Sequence, residues 1–157
     1  MNILVIGSGG REHAIAYAVK QSPLCQKLVC APGNPGMSSL GECIPVSVSD
    51  PKAIADLAEK EKIDLTIIGP EIPLVAGVVD EFRKRGLRAF GPIAAAAALE
   101  GSKAFSKNVM KKYGIPTADY ETFTDLESAQ AYLRAHPAPI VVKASGLAAG
   151  KGAVVCL

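Results

Sequence analysis

The chain has 157 residues, of which 49% are hydrophobic and 20% charged, and its net charge is +2. That length builds one domain with a real core, or one domain and part of a second, and the apolar share excludes a disordered chain. Near-neutral charge excludes the electrostatic footprint of a nucleic-acid or anionic-membrane binder, and no apolar run approaches the length of a membrane span.

The first hundred residues alternate short apolar runs with amphipathic stretches. Ile3–Ile6, Lys27–Cys30 and Leu65–Ile68 are strand-like runs ending near Gly or Pro, and unbroken apolar runs suit parallel strands covered on both faces. Between them, Glu12–Gln21 reads as a helix with Ala14, Ile15, Ala18 and Val19 on its inner face. Pro51–Lys60 reads as a second helix, with Ser49 or Asp50 as N-cap and Pro51 at the first helical position. Val75–Arg85 reads as one helix closed by Gly86, and Arg88–Phe90 as a short strand. This alternation predicts an α/β fold with a doubly wound parallel sheet. After about residue 93 the pattern changes. Ile93–Leu99, Ser102–Tyr113 and Asp125–Ala135 read as helices, while Tyr120–Phe123, Pro139–Lys143 and Ala153–Leu157 read as strands. The last run has no partner helix or further sheet, so the chain is expected to stop inside a domain.

The N-terminal Met1–Ile6 lacks a basic n-region and runs at once into a glycine-rich turn, which argues against a signal peptide and for the cytoplasm. The cysteines Cys25, Cys30, Cys43 and Cys156 include no C-x-x-C pair, so they read as small packed thiols.

Three loops leave the carboxyl ends of strands, where open α/β sheets bind ligands. The first, Gly7-Ser8-Gly9-Gly10-Arg11-Glu12-His13, opens a helix with exposed backbone N–H groups, which suits an anion. It is not a dinucleotide fingerprint, because Glu12 stands where the third glycine belongs and no acidic residue ends the second strand. A tight turn that binds nothing is the plain alternative. His13 reads as a packed or capping residue, and His136 as solvated. The second loop, Pro32-Gly33-Asn34-Pro35-Gly36, and the third, Gly69-Pro70-Glu71, each carry one polar side chain suited to a hydroxylated or amine ligand. Singly, each is ordinary turn chemistry; together, three such loops at one edge make a binding site.

Val141 to Gly152 holds a second glycine-rich loop. Only three residues separate Gly146 from Gly150, and Gly152 follows Lys151, so it is not a P-loop. A strand bearing Lys143 followed by a Gly/Ala hairpin suits a flap that closes over phosphates, with an exposed hairpin of solvated lysines as the alternative.

In this order, Gly7–Ala14, Pro32–Gly36, Gly69–Glu71, Leu99–Lys103 and Lys143–Gly152 resemble the phosphoribosylamine–glycine ligase family of the ATP-grasp superfamily, and the likeness covers the whole chain. The resemblance implies residues 1–100 as a Rossmann-like, pre-ATP-grasp substrate-binding domain and 101–157 as the truncated start of an ATP-grasp domain. It implies an ATP-dependent ligase: glycine is activated as an acyl phosphate, then joined to 5-phosphoribosylamine, with ADP and phosphate released. It places Gly9, Gly10, Arg11, Glu12, Gly33, Asn34 and Glu71 at the substrate. Lys103, Lys143, Ser145, Gly146, Gly150, Lys151 and Gly152 fall at ATP, with Ser145 to Gly152 as its lid. The partners implied are these small molecules, with no nucleic acid and no membrane. Magnesium or manganese would accompany ATP, its ligands lying in a later segment of the family. Many of the family carry Asp where Ser145 stands. That change is tolerable; it is because the cation ligands lie in the later segment that the chain alone is expected not to turn over. Another ATP-grasp carboxylate–amine ligase, a biotin-carboxylase-like enzyme and a non-catalytic binding subunit are the rival readings, with a dehydrogenase more distant.

Overall fold

A computed structural model describes residues 1–148 and 151–157, and these divide into an N-terminal unit, Met1–Ala97, and a C-terminal unit, Ala98–Leu157.

The N-terminal unit is built on five parallel strands in the order β3-β2-β1-β4-β5: β1 (Asn2–Gly7), β2 (Lys27–Pro32), β3 (Glu42–Cys43), β4 (Leu65–Ile68) and β5 (Ala89–Phe90). The apolar runs of β1 and β2 are continuous because both faces are covered. On one face Leu4, Ile6, Val29 and Ala31 pack with Ile54, Ala55, Leu57 and Ala58 of α2 (Pro51–Lys60) and with Val78, Val79 and Phe82 of α4 (Val78–Lys84). On the other, Ile3, Val5, Leu28 and Cys30 pack with Ala16 of α1 (Gly10–Lys20) and with Met37. Burying a side chain such as Phe82 contributes about 1.5–3 kcal/mol against leaving it in water.

Several local expectations are refined. Asp50, not Ser49, caps α2: its Oδ1 accepts the N–H groups of Lys52 and Ala53, both at 3.0 Å. The inner face of α1 carries Glu12, Ile15, Ala16 and Val19, whereas Ala14 and Ala18 are exposed. The expected single helix Val75–Arg85 is divided into α3 (Glu71–Val75) and α4, with Gly77 between them in the left-handed region at φ 90°. The Asp80 carboxylate accepts the Ala94 N–H at 2.8 Å and so holds the start of α5 (Ala94–Gly101).

In the C-terminal unit, α6 (Lys103–Lys112) is capped by Ser102, whose Oγ accepts the Phe105 N–H at 3.2 Å. Asp125 caps α7 (Leu126–Ala135) by accepting the Ser128 N–H at 2.8 Å. Strands β6 (Ile140–Lys143) and β7 (Ala153–Cys156) form an antiparallel pair with Lys143 opposite Ala153. Tyr120–Phe123 has the alternation of a strand but joins no ladder among the described residues. Its aromatic side chains make other contacts instead. Tyr120 donates to Asn108 Oδ1 at 2.9 Å, and the Phe123 ring lies 5.2 Å from that of Tyr132.

Candidate functional site

The strand order reverses at β1: the chain builds β2 and β3 to one side, then returns to place β4 on the other. The crevice above such a switch point is where open sheets receive ligands. Register brings the three loops to it. Gly7 pairs with Pro32, and Ile6 with Ile68. One step beyond, the Gly33 N–H donates to the Gly7 carbonyl at 3.2 Å and the Gly69 N–H to the Ile6 carbonyl at 3.1 Å.

Glu12 stands at the centre of this edge and is only 4% exposed. Its Oε2 accepts the Gly9 N–H at 2.8 Å, and its Oε1 accepts Nε–H of Arg11 at 2.6 Å. A Cβ at Gly7 or Gly69 would overlap the Glu12 side chain, and one at Gly9 would meet Oε2 at 2.9 Å. These glycines are therefore the walls of a carboxylate pocket. Glu12 makes only the N3 half of a capping box, its carboxylate accepting the N-cap Gly9 N–H, since Gly9 has no side chain to return the bond. Gly10, by contrast, has open space where a Cβ would stand.

Arg11 remains largely exposed, with both terminal nitrogens free of Glu12 and Nη2 lying 3.9 Å from Glu71 Oε2. Its hydrogen bond to Glu12, opposed by partial desolvation and reinforced by the charges of Glu12 and Glu71, holds its proton more firmly than usual. Glu71, at the start of α3, is part-exposed and faces this guanidinium.

Asn34 joins two loops. Its Nδ2 donates to the Ser8 carbonyl at 2.9 Å, and its Oδ1 accepts the Met37 N–H at 3.0 Å. Gly33 sits against Cys43 and Cys30, while His13 packs beneath Gly36, where a Cβ would overlap its ring. His13 is thus a packing residue, as expected. Burial, then the neighbouring Cys43, pushes the Cys30 thiol up to about 11, so it is inert at neutral pH.

In the C-terminal unit the loop after β6 is fastened to the start of α6. The Lys103 N–H donates to the Ser145 carbonyl at 2.9 Å, the Ala104 N–H to Ser145 Oγ at 3.2 Å, and Lys103 Nζ to the Gly146 carbonyl at 2.9 Å. The structure therefore joins Lys103 with Ser145 and Gly146, which stand far from it in sequence. An Asp at position 145 could accept the same N–H. Lys143 and Lys151 are exposed and make no ion pair among the described residues. The Gly152 carbonyl accepts the Ala144 N–H at 2.8 Å, closing the hairpin at its base. Gly150 lies outside the described residues.

Among the described residues no three His, Cys, Asp or Glu side chains gather as a metal-ligating group, and no helix is long and apolar enough to cross a membrane. A hollow of about 680 Å³ along the β5 edge, lined by Ile15, Leu65, Ile67 and Phe90 among others, includes none of the candidate residues. Its walls are apolar with two arginines and carry no group that could do acid–base work, so the loop edge is the better site.

Two family models match the chain. Residues 1–100 match the family model of the phosphoribosylglycinamide synthetase N domain, and residues 101–157 match that of its ATP-grasp (A) domain. A phosphoribosylamine–glycine ligase of Halalkalibacterium halodurans is 54% identical over the whole chain, which spans 37% of that protein. A crystal structure of the Thermotoga maritima ligase of that name superposes with a TM-score of 0.76 at 32% identity, over 99% of this chain and 36% of that one. The biotin carboxylase domain of Hydrogenobacter thermophilus 2-oxoglutarate carboxylase, solved with MgADP, ADP and bicarbonate, shares the fold at TM-score 0.75 and 20% identity, over 99% of this chain and 37% of that one.

Proposed function

The chain belongs to the phosphoribosylamine–glycine ligase family, and on that footing we propose that it supplies the amine-substrate site and the first phosphate-binding elements of an ATP-dependent carboxylate–amine ligase of purine biosynthesis. The reaction is glycine activation by ATP to glycyl phosphate, with ADP released. The amine of 5-phosphoribosylamine then displaces phosphate to form the amide. A carboxylate is a poor electrophile until one oxygen becomes a phosphate leaving group, and this is the chemistry ATP supplies when bound.

The observation that carries the reading is the convergence of three loops at the sheet's switch point, with a largely exposed Arg11 whose terminal nitrogens are free of Glu12 and with Glu71 3.9 Å from its Nη2. Arg11 and the open side of the turn at Gly10 suit the phosphate of a phosphoribosyl substrate, the Gly9 N–H being given to Glu12. Glu71 suits its hydroxyls or amine, and Asn34 with Gly33 fixes the neighbouring wall. Residues 1–100 form the substrate domain in this reading, and 101–157 open the ATP-grasp region. The second group fits a polyphosphate by its donors: Lys143 and Lys151 offer charge, and Lys103 is anchored through the loop of Ser145 and Gly146. Gly152 closes that loop at its base, and Gly150 falls in the same stretch of sequence. Divalent-cation ligands belong to a later segment, and the cytoplasm is the expected setting.

Calorimetric titration with ribose 5-phosphate and, separately, with ATP–magnesium tests this. Ribose 5-phosphate is expected to bind, and the 157-residue chain alone is expected to show no glycine-dependent ADP formation. Tight NAD binding, or turnover by this chain, would overturn the reading.

A further inference from the structure

Glu12 is an acidic side chain, almost fully buried, with both oxygens engaged within its own turn. A carboxylate in that position is costly to bury unless its hydrogen bonds are complete. Nothing in the fold of α1 requires one, since an N-terminal turn can be capped by an exposed side chain. Three backbone positions on two separate loops lack side chains where Glu12 lies: Gly7 and Gly9 before α1, and Gly69 after β4. At Gly69 the obstruction is Glu12 itself, since the three atoms nearest to an added Cβ all belong to that side chain.

From this arrangement we infer that Glu12 is the positioning residue of the substrate edge. One oxygen locks the Gly9 amide into the turn. The other fixes Arg11 through Nε, which leaves the two terminal nitrogens of the guanidinium free of the clip. The same side chain fills the gap between the β1 and β4 loops, so the position of Arg11 is tied to both sides of the switch point. Glu12 does not itself touch substrate; Arg11 does. Only this last step rests on the substrate reading above.

The test is a set of variants of the 157-residue chain. Gly69→Ala is expected to lower Tm by roughly 5 °C or more, and to have little effect in a Glu12→Ala background, where the obstruction is gone. Glu12→Gln offers one acceptor atom where the carboxylate offers two, so Gly9 and Arg11 cannot both be held. The Arg11 Nε–H resonance is expected to be protected in the unaltered chain by its bond to Glu12 and to exchange faster in this variant. Affinity for ribose 5-phosphate should fall about tenfold, the effect of one charge-assisted hydrogen bond. In an Arg11→Ala background, Glu12→Gln should cost clearly less affinity, only what the loosened Gly9 turn contributes. An equal Tm fall from Gly69→Ala in both backgrounds would overturn the clip. Equal loss of affinity from Glu12→Gln with and without Arg11 would make Glu12 a direct contact and overturn the positioning role. If the unaltered chain fails to bind ribose 5-phosphate, the substrate reading falls, while the Tm cycle and the Arg11 resonance still decide the clip.

Discussion

Thr66 carries a hydroxyl into the N-terminal core with nothing to receive it. Its side chain is fully buried on β4, and Oγ1 has no hydrogen-bond partner among the described residues. Glu12 shows the other outcome for a buried polar group, with each oxygen satisfied inside a space shaped for it. An unpartnered hydroxyl keeps its desolvation cost without a compensating bond. Valine has nearly the same shape and no such cost. Thr66→Val is therefore expected to raise stability by about 1 kcal/mol, seen as a higher denaturation midpoint at unchanged slope. A lower midpoint would show that the hydroxyl is paired after all.

At the scale of elements, Gly77 is the joint between α3 and α4. Its φ of 90° lies where a side chain is strained, yet the nearest atom to an added Cβ would be Asp80 Oδ2 at 3.7 Å, ordinary contact. Gly77→Ala thus isolates the backbone term, and its expected cost is about 1–2 kcal/mol of unfolding free energy. An unchanged stability would mean the joint relaxes into one continuous helix. The sequence carried Gly77 in plain view, but the apolar pattern of Val75 to Phe82 runs through it and the helix reads as unbroken. Elsewhere the pattern was sufficient. The β1, β2 and β4 runs and the capped start of α2 were legible because burial on both faces and an N-cap leave local marks. The two-residue β3 was too short to have a period, and Tyr120–Phe123 had the period without a ladder. The site followed the same division. The loops were legible from their Gly and Pro content, while the partnership of Glu12 with Gly69, and that of Ser145 with α6, spans loops distant in sequence and shows only once the chain is folded.

On the scale of the whole molecule, the two units differ in how they are held. Among the described residues, every buried apolar side chain lies in the N-terminal unit, where two clusters sandwich the sheet. In the C-terminal unit no described residue is buried, and Phe105, Ile115, Leu126, Val154 and Val155 are all exposed. Its order rests on helix caps, the β6–β7 ladder and side-chain links such as Lys107 Nζ to Thr117 Oγ1 at 2.7 Å. Hydrogen bonds shared with water contribute little net free energy, whereas apolar burial drives cooperative stability. Local opening should therefore be far cheaper beyond residue 98 than before it. Amide exchange followed by mass spectrometry is expected to show β1, β2 and α2 protected longest. The amides of α6, α7 and the hairpin should exchange at least about a hundredfold faster, the ratio set by an opening cost lower by roughly 3 kcal/mol. Equal protection across residue 98 would mean that the C-terminal unit is stabilised by something other than its own packing, since its exposed side chains offer no core to supply that protection.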